Sequence, residues 1–232
     1  MPIVRARSLS LGLATAALLV TAGLSADAHA RPNLTRKGGQ WGVMLGGAAC
    51  IPGKAECARD TATGVGGVTV DGKTRPSVGL GAELGYRFNK YVFAGAAYNL
   101  GFFDTSYEVV GAASYRRGMQ NSVFGVVRPT LPVWRFDFGL GLGPGFSRQT
   151  FVRTDGTKDY SQGFAFKIEP TIDVFVSRRV FVGAKLDMIL NAHGRTCREN
   201  ETTVVCDKQS YDTDVAPVHQ MLFGLHVGGT FL

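Results

Sequence analysis

The feature that most constrains this chain is two-residue alternation, recurring from about residue 40 to the last residue, with no helical period anywhere along it. Side chains alternate across a β-strand, so a polar/apolar beat of two marks a strand with unlike faces. Between 77 and 88, Val78, Leu80, Ala82, Leu84, Tyr86 and Phe88 fall on one side, and Gly79, Gly81, Glu83, Gly85 and Arg87 on the other. Between 134 and 148, Phe136, Phe138, Leu140, Leu142 and Phe146 oppose Arg135, Asp137, Gly139, Gly141, Gly143, Gly145 and Ser147. The same beat predicts eight strands, at 40–49, 77–88, 91–102, 120–131, 134–148, 162–176, 180–191 and 219–231. Each is near or above the ~9–11 residues that a tilted strand needs to cross a bilayer. The strand at 120–131 has apolar residues on both faces, with Phe124 and Val126 opposing Val123 and Val127, and its facing stays open. Pro170 inside 162–176 points to a bulge or to a strand boundary at a different place, because proline removes a ladder donor.

Alternation does not say which face is outside. A soluble barrel binding an apolar ligand puts its apolar face inward, and a membrane barrel puts it outward. Three features select lipid outside. The polar face is rich in Gly, which weakens a solvent-facing strand but leaves room for long side chains in a narrow lumen. The connections alternate in length: tight turns at 89–90, 132–133 and 177–179, and long polar segments at 50–76, 103–119, 149–161 and 192–218. That places all long loops at one end and the tight turns at the other. Rings gather at strand ends: Trp41, Tyr86, Phe88, Tyr91, Trp134 and Phe231 at the tight-turn end, and Phe102, Phe146 and Phe164 at the loop end. Membrane interfaces select such girdles, whereas a soluble core puts rings mid-strand. The expected class is all-β: a closed, antiparallel, up-and-down transmembrane β-barrel of about eight strands.

The N-terminus is consistent with export. Arg5 and Arg7 precede an apolar run at 11–24, and Ala28-His29-Ala30 makes a small-x-small cleavage site. The reading is a cleaved signal peptide at 1–30, a short periplasmic lead at 31–39 and a barrel at 40–232. No later segment approaches the roughly 18 unbroken apolar residues of a spanning helix. Four cysteines suit an oxidising compartment, and their placement predicts local disulfides, Cys50 with Cys57 and Cys197 with Cys206. Their spacing is too wide for zinc knuckles, and no metal or cofactor is expected.

The inward positions hold charges of both signs: Glu83, Arg87, Arg128, Arg135, Asp137, Lys167, Glu169, Asp173, Lys185 and Asp187. Charges brought into one narrow lumen must pair, so they predict a salt-bridge network that plugs the barrel. The rival is a gated or narrow pore, against which eight strands leave an interior that side chains fill. Catalysis needs a nucleophile beside a base. His193, His219 and His226 lack an evident serine partner in the sequence, so no catalytic residue is expected. In the outer segments Arg59, Arg116, Arg117, Arg148, Arg153, Arg195 and Arg198 suit lipopolysaccharide phosphates. Asp155, Glu199, Glu201, Asp207, Asp212 and Asp214 are of the type that holds a divalent cation, but read as ordinary solvated acids. The net charge of +7 is spread over loops, turns and lumen without a stripe, which argues against nucleic acid.

The closing stretch Leu222-Phe223-Gly224-Leu225-His226-Val227-Gly228-Gly229-Thr230-Phe231-Leu232 looks like the terminal strand that barrel-assembly machinery reads, although a Leu follows Phe231 where a final aromatic is usual. With the eight alternating segments, this resembles the small eight-stranded outer-membrane barrels of the outer membrane protein A and X kind, over 40–232. The resemblance implies a non-enzymatic monomer in the outer membrane of a Gram-negative bacterium. Its partners would be membrane lipid and lipopolysaccharide, with the assembly machinery during insertion. It would serve envelope integrity or surface contact through disulfide-braced loops, or else form a small, porin-like transport component.

Overall fold

The structure, a computed structural model, describes residues 34–51, 61–63, 69–75, 77–107, 115–153, 155–208 and 219–231; for 61–63, 69–75, 104–107 and 115–116 it describes the backbone alone. The signal-peptide reading, Cys57, Arg59, Asp212 and Asp214 lie outside the described residues. Eleven strands run in chain order: β1 (Gly38–Cys50), β2 (Thr61–Thr63), β3 (Thr69–Arg75), β4 (Ser77–Asn89), β5 (Val92–Tyr107), β6 (Tyr115–Val133), β7 (Phe136–Arg153), β8 (Lys158–Phe175), β9 (Val180–Glu199), β10 (Val204–Lys208) and β11 (Gln220–Phe231).

Eight of them close a ring in the order β5-β4-β1-β11-β9-β8-β7-β6, with β6 pairing back to β5. All pairs are antiparallel, and the first and last strands meet in an unbroken register from Gly39↔Phe231 to Cys50↔Gln220. Closure leaves the ring without a free edge. Among the described residues β2, β3 and β10 lie outside it, β3 pairing with β5 and β10 with β9.

The apolar beat faces outward. Leu45, Leu84, Val123, Val127, Leu140, Ile172 and Leu225 are all exposed, while Glu83, Arg128, Lys167, Glu169, Asp187 and His226 are buried. The open facing of 120–131 resolves with Phe124 and Val126 inward and Val123 and Val127 outward. Phe124 and Val126 join Met44, Ala48, Ala97, Ala165, Ile189 and Leu222 in an apolar layer inside the barrel. All six tight-turn rings, Trp41, Tyr86, Phe88, Tyr91, Trp134 and Phe231, are exposed, as are Phe102, Phe146 and Phe164.

Four expectations need correction. The predicted long loop at 149–161 is a hairpin: β7 and β8 stay paired to Val152↔Lys158, closed by the Arg153 amide donating to Thr157 O and the Gly156 amide donating to Arg153 O. The strands continue because nothing in Gln149-Thr150-Phe151-Val152 breaks extended backbone, and Gly156 takes the turn at φ 89°. The tight turn expected at 132–133 falls instead at Trp134-Arg135. Trp134 adopts φ 54°, and Pro132 pairs with Asp137 inside the ladder. The first turn likewise shifts to Lys90-Tyr91, where Asn89 Oδ1 accepts from the Tyr91 and Val92 amides at 2.8 and 3.0 Å. Pro170 makes no bulge. It pairs with Leu140, and β8 and β9 keep their register on both sides of it. The β8–β9 bulge lies at Gln162/Gly163, with Gly163 opposite His193 and Gln162 opposite Arg195.

Candidate functional site

The lumen side chains change character along each strand from the loop end to the tight-turn end. On β8 the inward series is Ser161, Ala165, Lys167, Glu169, Thr171, Asp173 and Phe175, and on β9, read in the same direction, it is His193, Asn191, Ile189, Asp187, Lys185 and Phe181. Polar amides and hydroxyls thus cap an apolar layer, which caps the charges.

The charges meet across the barrel. Arg128 on β6 forks onto Glu83 on β4, Nη1 to Oε1 at 3.0 Å, and its guanidinium also donates to Glu169 on β8. Lys185 on β9 reaches Glu83 at 2.7 Å and Glu169 at 3.0 Å. Lys167 pairs with Glu169, while Asp187 accepts from Asn99 at 2.5 Å. His226 on β11 lies 3.1 Å from Asp173 and 3.6 Å from Glu83. Lys167, Glu169 and Asp187 are 0 % exposed. Glycine makes this crowding possible: a Cβ at Gly139 would stand 2.8 Å from Arg128 Cδ, and one at Gly42 would stand 2.3 Å from His226 Nε2.

A second ion-pair group closes the tight-turn end. Asp137 takes Arg87 at 2.6 Å and Arg36 at 2.9 Å. Arg36 belongs to the lead before β1, yet it also donates to the Trp134 carbonyl at 2.6 Å and lies over the Phe175 ring. The Thr35 amide donates to Arg178 O at 2.9 Å. The lead therefore reaches from β1 to the β6–β7 and β8–β9 turns. Arg135, the tenth predicted lumen charge, is not among these groups. It falls in the shifted β6–β7 turn, half-buried with its guanidinium over the Trp134 ring, and it has no ion pair among the described residues.

The loop-end polar layer corrects a further expectation, that His193 lacks a serine. Ser161 Oγ lies 2.8 Å from His193 Nδ1, and Ser147 Oγ lies 2.7 Å from Nε2. Ser147 in turn donates to Asn191 Oδ1 at 2.6 Å, and Gln149 and Asn191 both donate to Gln120 Oε1, at 2.7 and 3.1 Å. Inward parity at Ser147 points to a partner, but the bulge that aligns Ser161 with His193 leaves no mark in the alternation. A serine nucleophile must give its proton to the base and meet a substrate; Ser147 gives its proton to an amide oxygen, and Ser147 and Ser161 are both buried, 0 % and 5 % exposed. Among the described residues no group of His, Cys, Asp and Glu is arranged to hold a metal.

Beyond the outer rings the strands continue into a polar rim. Cys197 and Cys206 form the expected disulfide, tying β9 to β10. Cys50 is also disulfide-bonded. Of the outer arginines, Arg153 and Arg198 turn to Asp159, at 2.6 and 2.8 Å. Arg117 is exposed and Arg195 projects outward. Arg148 stacks on Tyr160, 3.6 Å from the ring centroid. Glu199 accepts from Lys158 at 2.6 Å, a bond that holds its carboxyl below the usual carboxylate range. The Thr157 amide does the same for Asp155. Glu201 and Asp207 are exposed.

A ring of eight antiparallel strands with apolar residues outward and charges inward is the fold of the small outer-membrane β-barrels. The fold of a solved outer-membrane protein bears this out. The outer membrane protein OprG from Pseudomonas aeruginosa superposes with a TM-score of 0.51 at 12% identity, over 86% of this chain and 100% of its own. Ail, the attachment invasion locus protein of Yersinia pestis, solved with the heparin analogue sucrose octasulfate, gives a TM-score of 0.41 at 13% identity, over 84% of this chain and 99% of its own. No family model matches the chain, and no curated protein matches it in sequence.

Proposed function

We propose that this chain is a non-enzymatic, monomeric barrel of the Gram-negative outer membrane, exported by a cleaved signal peptide at 1–30, with a plugged lumen and its work done at the outer rim. There it contributes to envelope integrity or surface contact. The observation that carries the reading is the fully buried set Lys167, Glu169 and Asp187, bonded to one another or to Arg128 on β6, Lys185 on β9 and Asn99 on β5. A conducting path would leave these groups wet. With the lumen filled from Ser161 to Phe175, contact with other molecules falls to the disulfide-braced hairpin and the polar rim, mounted on a rigid scaffold. The exposed apolar belt between two sets of rings supports lipid as its surroundings. Reconstitution into planar bilayers tests the plug. Folded protein is expected to give no steady single-channel steps, and reproducible unitary conductance would overturn this reading in favour of a pore.

A further inference from the structure

The outer face of β7–β10 carries an arrangement that the plugged barrel does not use. In register, Asn121, Arg148, Gln162, Arg195 and Lys208 form one row across β6, β7, β8, β9 and β10. The next outward row toward the membrane is Val123, Phe146, Phe164 and Ala192, all exposed. Two residues along a strand are about 7 Å, so the polar row stands one headgroup step above the outer rings. Arg195 is placed there by the bulge: Gly194 is the extra residue between His193↔Gly163 and Arg195↔Gln162. Without it, two-residue alternation from His193 would point Arg195 into the lumen. Bulges re-aim side chains in this way, commonly at barrel rims.

Arg195 is thereby set directly opposite Lys208. Like charges facing each other across a strand pair are destabilising. Neither residue has an ion pair among the described residues, and both are exposed. The nearest acid on this face, Glu199, is held by Lys158, with Arg148 at 3.9 Å. Asp207 and Asp159 alternate onto the other face, where Asp159 is occupied by Arg153 and Arg198. The disulfide sits two residues along both strands from the like-charged pair and holds the hairpin that presents it. Adjacent strands are about 4.8 Å apart, so Arg195 and Lys208 stand together, with Arg148 on the order of 10 Å away. Two cationic points with the Gln162 amide between them match two phosphates on one headgroup better than a single phosphodiester.

We infer that this row binds a bisphosphorylated glycolipid of the outer leaflet, the Arg195–Lys208 pair taking one phosphate and Arg148 the other. Guanidinium forks suit phosphate oxygens, and the rings below pack against the acyl chains. The inference rests on the membrane reading above and deepens it, giving the rim a lipid ligand.

The test uses the full mature chain, folded in detergent micelles and checked for heat-shifted gel mobility. Native mass spectrometry then measures the fraction carrying one lipid as diphosphoryl lipid A, monophosphoryl lipid A or phosphatidylglycerol is titrated in. Diphosphoryl lipid A is expected to bind tightest. Arg195→Gln with Lys208→Gln should weaken it about tenfold or more, since charge-assisted bonds to phosphate are strong. Arg178→Gln with Arg179→Gln, removing equal charge at the tight-turn end, should leave binding unchanged. Replacing Arg148 by Gln should erase the preference for two phosphates over one. Equal binding of lipid A and phosphatidylglycerol, or equal loss from both double variants, would overturn the site while leaving the barrel reading intact. A chain that stays soluble without detergent and shows no heat shift would overturn both.

Discussion

Arg128 shows what a single lumen residue does. Its guanidinium joins Glu83 and Glu169, from two strands that are not neighbours of β6, and lies over the Phe93 ring, 4.9 Å from its centroid. Replacing it with Met keeps the volume but strands two buried carboxylates beside only Lys185 and Lys167. Breaking a buried pair from one side costs about 3–5 kcal/mol, far more than deleting both partners. Urea unfolding of Arg128→Met in lipid vesicles should show a loss of that size, and a shift under about 1 kcal/mol would mean that the network contributes little. Alternation leaves the facing of 120–131 open, so only its charge, costly on a lipid face, places Arg128 inside. Neither can name Glu83 as the partner, because β4 and β6 face each other only once β5 has paired with both. Arg135 is misplaced for a more local reason: its facing depends on a turn two residues later than Pro132-Val133 suggests, made by a tryptophan in the left-handed region.

At the scale of elements, the strands outrun their sequence signal at the loop end. β6, β7, β8 and β9 all extend past the outer rings into segments that are polar on both faces in β8 and β9 and irregularly mixed in β6 and β7, where a two-residue beat has little contrast to read. The disulfide was legible there because a pair of cysteines nine residues apart needs only a hairpin between them. Closing a loop of this length is worth about 2–3 kcal/mol in the unfolded chain, so Cys197→Ser with Cys206→Ser should loosen β10 from β9. Arg195, Arg198 and Lys208 are then the expected trypsin sites. Faster cleavage there, with the heat-shifted band of the barrel retained, is the anticipated result. An unchanged digestion rate would show that the backbone ladder from Val204↔Glu199 to Lys208↔Arg195 holds the hairpin without the bond.

For the whole molecule the question is what surrounds the barrel, and one substitution separates the answers. Leu225 is 67 % exposed, lies near the middle of β11, and sits in a row with Leu45 and Ala184. In water, changing so exposed a side chain on a soluble barrel shifts stability by no more than about 0.5 kcal/mol. In a bilayer an arginine at the midplane of the lipid face costs about 2–4 kcal/mol, falling toward zero near the interfaces. Leu225→Arg should therefore unfold from vesicles at a markedly lower urea concentration. Phe231→Arg, in the ring row at the tight-turn end, should lose much less. The inward neighbour gives the complementary control: His226→Leu removes a partner of Asp173 and Glu83, so its cost should be the same in thick and thin bilayers. A depth-dependent penalty on the Leu225 face together with a depth-independent one on the His226 face is a pattern that only a lipid-embedded, polar-filled barrel produces. Equal tolerance of Leu225→Arg at every membrane thickness would leave the apolar belt without its lipid.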